Sequence, residues 1–250
     1  MEKAKSSEEK FFLYYTIVLF LIVFFAFAPG FLDPESRGLP FYMHVHGAVL
    51  VGWFLLLIFQ SWLIRSVQFR THRKVGVFAA LYGYLLAPGA LLATFNVVSR
   101  YASKGISLDT NMSEVNPALG EGMSFLDVAS EVVWTNIMAI CTFVTLLTAA
   151  ILLRKDPVFH KRLILLATVS IMGPALARLS RLPFLGGEQG PFIPAALLTL
   201  ILTIIVYDFM RFKRVTKATW MATALIMILN GAGFYISGTE QGLNFVRSLA

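Results

Sequence analysis

From Phe11 to Leu32 the chain carries no charged residue, and apolar runs of similar length recur almost to its end. About 20 such residues make a helix long enough to cross a bilayer, where every backbone N–H and C=O must find its partner within the segment. This constrains the fold more than any other feature. Seven segments qualify, at roughly 11–31, 41–65, 76–99, 126–153, 163–182, 192–211 and 217–237. The expected fold is therefore all-α, a polytopic bundle of seven transmembrane helices in one membrane domain, 1–250. Composition agrees: 14% of residues are charged, where soluble domains carry about a quarter. The mean hydropathy is +0.73.

The first span needs separating from a signal peptide, because Lys3, Lys5 and Lys10 precede it and Ala26-Phe27-Ala28 mimics a cleavage site. Pro29 follows directly, and the segment reads as a retained helix. Gly105, Asn111, Asn116, Pro117 and Gly120 mark 101–124 as the one long external loop. Pro174, Pro183, Pro191 and Pro194 punctuate the fifth and sixth spans. The single cysteine, Cys141, excludes an internal disulfide framework and reads as a small packing residue in an apolar helix.

The net charge of +7 follows from membrane topology rather than from nucleic-acid binding, since the basic residues cluster between apolar runs. With the N-terminus inside, the inner segments carry fifteen Lys and Arg, among them Arg65, Arg70, Arg73, Lys74, Arg154, Lys155, Arg211, Lys213, Arg214 and Lys217. The outer side keeps Arg37, Arg100, Lys104, Arg178, Arg181 and Arg247, with Asp109, Glu114 and Glu121 in the long loop. The C-terminus is then outside, in a multi-pass protein of the cytoplasmic (inner) membrane.

Direction sets the depth of each polar residue. His44 and His46 fall in the outer first turns of the second helix, and Asp127 and Glu131 share a face at the outer end of the fourth. Asn96 of the third helix and Arg178 of the fifth reach the same level. Intramembrane ionisable groups usually face the bundle interior and pair, so Glu131 with Arg178 is the expected pair, a structural tie or a ligand contact. His46, Trp53 and Gln60 recur every seven residues and form a stripe that drifts only ~20° per heptad. Such a stripe lines a helix contact or a narrow polar cleft, and hydrogen-bonded packing across helices is the plainer account.

At the inner surface His72, in Thr71-His72-Arg73-Lys74, precedes the third helix, and His160, in His160-Lys161-Arg162, precedes the fifth. The shared layout suggests an imperfect repeat of helix pairs within a four-helix, His-bearing core over 41–182. His72 and His160 are an inner pair able to ligate haem b axially or to help hold a metal; contact with lipid headgroups is the plainer reading. At the outer end Met43, His44 and His46, with Met112 or Met123, suit copper. Histidines at i, i+2 point about 200° apart on a helix, which argues against both binding one ion. His46 with Asp127 and Glu131 makes a harder site for zinc, iron or manganese, and proton handling by His46 near Glu131 is a third possibility.

Other seven-helix chemistries are excluded by residue type. Lys217, at the inner edge, is the one lysine near the last helix, so no Schiff-base lysine for retinal lies within it. No histidine follows His160, so the H-x-x-x-H pair of the ceramidase and adiponectin-receptor hydrolases is missing. No Walker loop or serine nucleophile elbow occurs.

The combination of His46-Gly47 with Trp53 and Gln60, then His72-Arg73 with Gly76, then His160-Lys161-Arg162-Leu163 through Ala167-Thr168 resembles a group of uncharacterised bacterial polytopic membrane proteins. It covers the second to fifth helices. More distantly it is similar to cytochrome b561-like and cytochrome-oxidase-assembly membrane proteins. That resemblance implies a His-bearing four-helix core in a bacterial membrane, though the two stacked histidine pairs of b561 are not both present. The expected function is redox or oxidase-related, with haem b or a transition metal as cofactor. The alternatives are small-molecule binding or transport through an outward polar cavity, and an accessory subunit of a membrane complex. Membrane lipid and other membrane subunits are the expected partners, and nucleic acid is not.

Overall fold

The computed structural model describes residues 2–32, 38–115, 122–181 and 189–250. Arg37, Asn116, Pro117, Gly120, Glu121 and Pro183 lie outside the described residues. Those described are helical apart from short turns and an isolated bridge between Asn111 and Ser124. The chain divides into two compact units, Met1–Gly89 and Ala90–Ala250.

The first unit holds α1 (Glu2–Leu32), α2 (Phe41–Arg65) and α3 (Phe69–Phe95) as far as Gly89. α1 packs along α2. Leu19 is fully buried on α1, and α2 buries Trp53, Phe54, Leu57, Gln60 and Leu63. α2 ends in a hydrogen-bond pattern that closes its last carbonyls: Gln68 N–H donates to Leu63 O at 2.8 Å and Val67 N–H to Ile64 O at 3.1 Å. The left-handed residue this requires is usually glycine, but here it is Val67, at φ 61°.

The second unit contains the end of α3, then α4 (Val97–Ala102), α5 (Met112–Val115), α6 (Phe125–Leu152), α7 (Pro157–Ser170), α8 (Gly173–Leu179), α9 (Gln189–Phe212), α10 (Lys217–Ser237) and α11 (Glu240–Arg247). α6, α7 and α10 pack together as its centre. Local sequence starts several of these helices. Asp156 accepts from the amides of Val158 and Phe159 with Pro157 opening α7, and Thr216 and Thr239 cap α10 and α11.

Among the described residues six helices are long and apolar enough to cross a membrane: α1 over Glu8–Ala28, α2, α3, α6, α9 over Phe192–Phe212, and α10. The chain is thus a multi-pass, all-helical membrane protein. Where the seventh span was expected, at 163–182, α7 and α8 pass the same test only together and meet at 50°, the geometry of a broken span or of a re-entrant loop. Gly173 and Pro174 explain the break, because Pro174 has no N–H to continue the ladder. Large apolar side chains such as Phe25, Leu85, Phe209 and Ile228 face outward along the spans, as lipid-facing surfaces require. Cys141 is among the exposed residues of α6 rather than packed as expected.

Part of the expected external loop is well built. Met112 N–H donates to Met123 O at 2.8 Å, and Met112 is buried with Val97, Val98, Phe125, Leu126 and Val246. The rings of Tyr101 and Phe125 lie 4.7 Å apart. This apolar cluster closes one end of the second unit, with α11 lying against α6.

Candidate functional site

Two groups of polar side chains occupy the membrane-spanning parts, one in each unit. In the first unit two members of the His46–Trp53–Gln60 stripe, His46 and Gln60, come close to glycines of α3. A Cβ placed on Gly89 of α3 would lie 3.4 Å from His46 Nδ1, and one on Gly76 would lie 3.8 Å from Gln60 Nε2. Between them Tyr82 Oη donates to Val49 O at 2.8 Å, and a Cβ on Gly52 would collide with the same hydroxyl. Each polar side chain therefore meets the opposite helix at a glycine, where no side chain intervenes. Trp53 and Gln60 are buried, whereas His44 and His46 are half-buried. His72 lies in the first turns of α3, its N–H bonded to Gln68 O at 2.9 Å.

In the second unit His160 Nδ1 lies 2.9 Å from Ala150 O. A carbonyl can only accept, so Nδ1 carries the proton and, in the neutral ring, the lone pair falls on Nε2. The bond ties the start of α7 to the end of α6. Asp127 caps α6: its Oδ2 accepts from Ser124 N at 3.0 Å and from Ser124 Oγ at 2.6 Å, while its own N–H donates to Ser124 Oγ at 3.2 Å. Glu131, a turn further along, is half-buried. Arg178 donates from one guanidinium nitrogen to Pro174 O at 2.9 Å, back along its own helix. Asn96 likewise donates to Leu92 O at 2.9 Å, at the break between α3 and α4. Among the described residues no three His, Cys, Asp or Glu side chains form a group able to hold a metal.

The best-defined polar constellation joins three other elements. Arg162 on α7 and Asp208 on α9 are both fully buried. Nε and a terminal nitrogen of Arg162 donate to Asp208 Oδ1 at 2.8 and 2.6 Å. Asp208 Oδ2 accepts from Thr216 N at 3.1 Å, Thr216 Oγ1 at 2.7 Å and Thr219 Oγ1 at 2.6 Å. The guanidinium also sits 5.2 Å from the Phe212 ring centre. Both carboxylate oxygens are thus satisfied by α7 on one side and the start of α10 on the other. Taking an ion pair out of water is unfavourable unless its remaining lone pairs and protons are bonded, and here both carboxylate oxygens are.

Sequence reading placed Arg162 only within a basic cluster and passed over Asp208. The signal was present: Asp208 is the one acid in the apolar run 192–211, and a lone carboxylate at that depth demands a cation. Compared with protein-family models, with curated proteins and with solved structures, the chain matches none.

Proposed function

We propose that this integral membrane protein holds a redox group, haem b or a transition metal, with His160 as the axial or metal donor. The orientation of the His160 ring carries the reading. Metal-ligating histidines almost always donate their second ring N–H to a carbonyl or carboxylate, which fixes the ring and raises the basicity of the other nitrogen. The Nδ1 to Ala150 O bond is of this kind, and in this respect His160 fits an axial role. When bound, such a group supplies one-electron chemistry. His160 and Ala150 would orient it, and the apolar residues of α6 and α7 would exclude water from it.

His72 and His46 belong to the same proposal by their sequence positions. The alternative set of His44, His46, Asp127 and Glu131 is less favoured, because Asp127 would have to leave its cap to ligate a metal. The Glu131–Arg178 pair remains a sequence-based proposal.

The test is a visible spectrum and metal analysis of the detergent-purified full chain. We expect a Soret band or one metal per chain, lost in His160→Ala and retained in Asp127→Asn. A chain with neither haem nor stoichiometric metal, purified under conditions that retain b-type haem in other proteins, overturns the reading. One observation then favours an accessory subunit instead: the Arg162–Asp208 group joins α7, α9 and the start of α10, a structural role.

A further inference from the structure

The turns between α6 and α7 and between α9 and α10 lie at one end of the second unit, because Arg162, Asp208, Thr216 and Thr219 bind the helices that flank them. This end is strongly basic. Arg154 and Lys155 occupy the first turn, Arg211, Lys213 and Arg214 end α9 and follow it, and Lys217 opens α10; all six are exposed. The acids nearby do not answer them. Asp208 is buried against Arg162, and Asp156 is turned onto the amides of Val158 and Phe159.

Two further observations distinguish this end from an ordinary solvated charge run. Lys213 is held at φ 56°, in the left-handed region where glycine is usual, with its N–H bonded to Phe209 O at 2.8 Å. Trp220, one turn into α10 from Lys217, is 59% exposed. Tryptophan beside basic residues at a helix end marks the headgroup level of a bilayer. Arg211 stacks over Phe212 at 5.5 Å, on the ring that also meets Arg162, so the surface cations rest on the buried ion pair.

We propose that this basic end binds the headgroup of an anionic phospholipid, with Lys213, Arg214 and Lys217 on the phosphate and Trp220 at the glycerol level. Basic surfaces at the ends of membrane helices recognise anionic headgroups through charge-assisted hydrogen bonds to phosphate oxygens. The depth of Trp220 favours a lipid over a free phosphate, which would gain nothing from an indole at the interface. The inference stands apart from the His160 reading.

The experiment is native mass spectrometry of the delipidated full chain, titrated with phosphatidylglycerol or phosphatidylcholine. We expect phosphatidylglycerol to bind tighter by on the order of tenfold or more, and the preference to shrink at high salt. The triple variant Lys213→Gln/Arg214→Gln/Lys217→Gln should lose the preference. Arg65→Gln/Arg70→Gln/Arg73→Gln removes as many charges from the turn between α2 and α3 and should keep it. All six positions are exposed, and thermal unfolding checks that each variant folds; Arg214→Gln alone is the milder variant, expected to weaken the preference in part. Equal binding of the two lipids, an unchanged preference in the first triple variant, or full displacement by equimolar inorganic phosphate overturns the proposal.

Discussion

Asp208 carries more of the second unit's integrity than any other single side chain described. Its two oxygens receive five hydrogen bonds, from Arg162, Thr216 and Thr219. Asp208→Asn keeps the shape but leaves a guanidinium buried without its counter-charge, which destabilises by about 3–5 kcal/mol. Thermal unfolding in detergent should show that loss. Replacing both partners, as Arg162→Met with Asp208→Leu, should recover at least half of it, since an apolar pair leaves no buried charge. If the double variant is no better than Asp208→Asn, the hydroxyl network rather than the charge is the stabilising element.

Among elements, the contact of α6 with α10 is the closest, and it depends on one glycine. A Cβ on Gly233 would lie 3.0 Å from Trp134 O and 3.2 Å from Thr135 Cα, both backbone atoms that cannot turn aside. Ser130 Oγ donates to Ser237 O at 2.8 Å, fixing the same approach, while Trp134 Nε1 donates to Gly242 O of α11 at 3.2 Å. Small residues at such crossings let membrane helices approach closely and bond across. Gly233→Ala should therefore lower stability by about 1–3 kcal/mol through overpacking. Gly231→Ala, which meets nothing within 4 Å, should be neutral or add up to about 1 kcal/mol through helix propensity. Equal unfolding temperatures for the two variants would show that α6 and α10 are looser than the structure has them.

For the whole molecule the open question is direction across the membrane. By the positive-inside rule, the excess of Lys and Arg between apolar runs predicts the α6–α7 turn inside and α11 outside. Cysteine labelling tests this in a Cys141→Ser background. Glu240→Cys should react with an impermeant maleimide in intact cells, and Lys155→Cys only after permeabilisation. The reverse pattern would invert the protein and put the basic end of the second unit in the outer leaflet.

Apolar length and lack of charge were enough to read the membrane-spanning helices from sequence, because a bilayer admits few solutions for a backbone without water. The seven-residue recurrence of His46, Trp53 and Gln60 was legible as one face of α2, since that spacing keeps residues on one face. Local chemistry at helix starts was legible in principle too: Ser124 with Asp127 is a capping box written in four residues. What the sequence alone could not supply was partnership between distant segments. Arg162 and Asp208 are 46 residues apart, and nothing local in either links them. Asp127, read as a possible metal donor, is held by a neighbour three residues away, and only the folded geometry shows its Oδ2 turned onto that neighbour. The apolar, helical character of a span is set by the segment's own solvation; the pairing of buried charges is set by which helices meet, and that was decided by the tertiary structure.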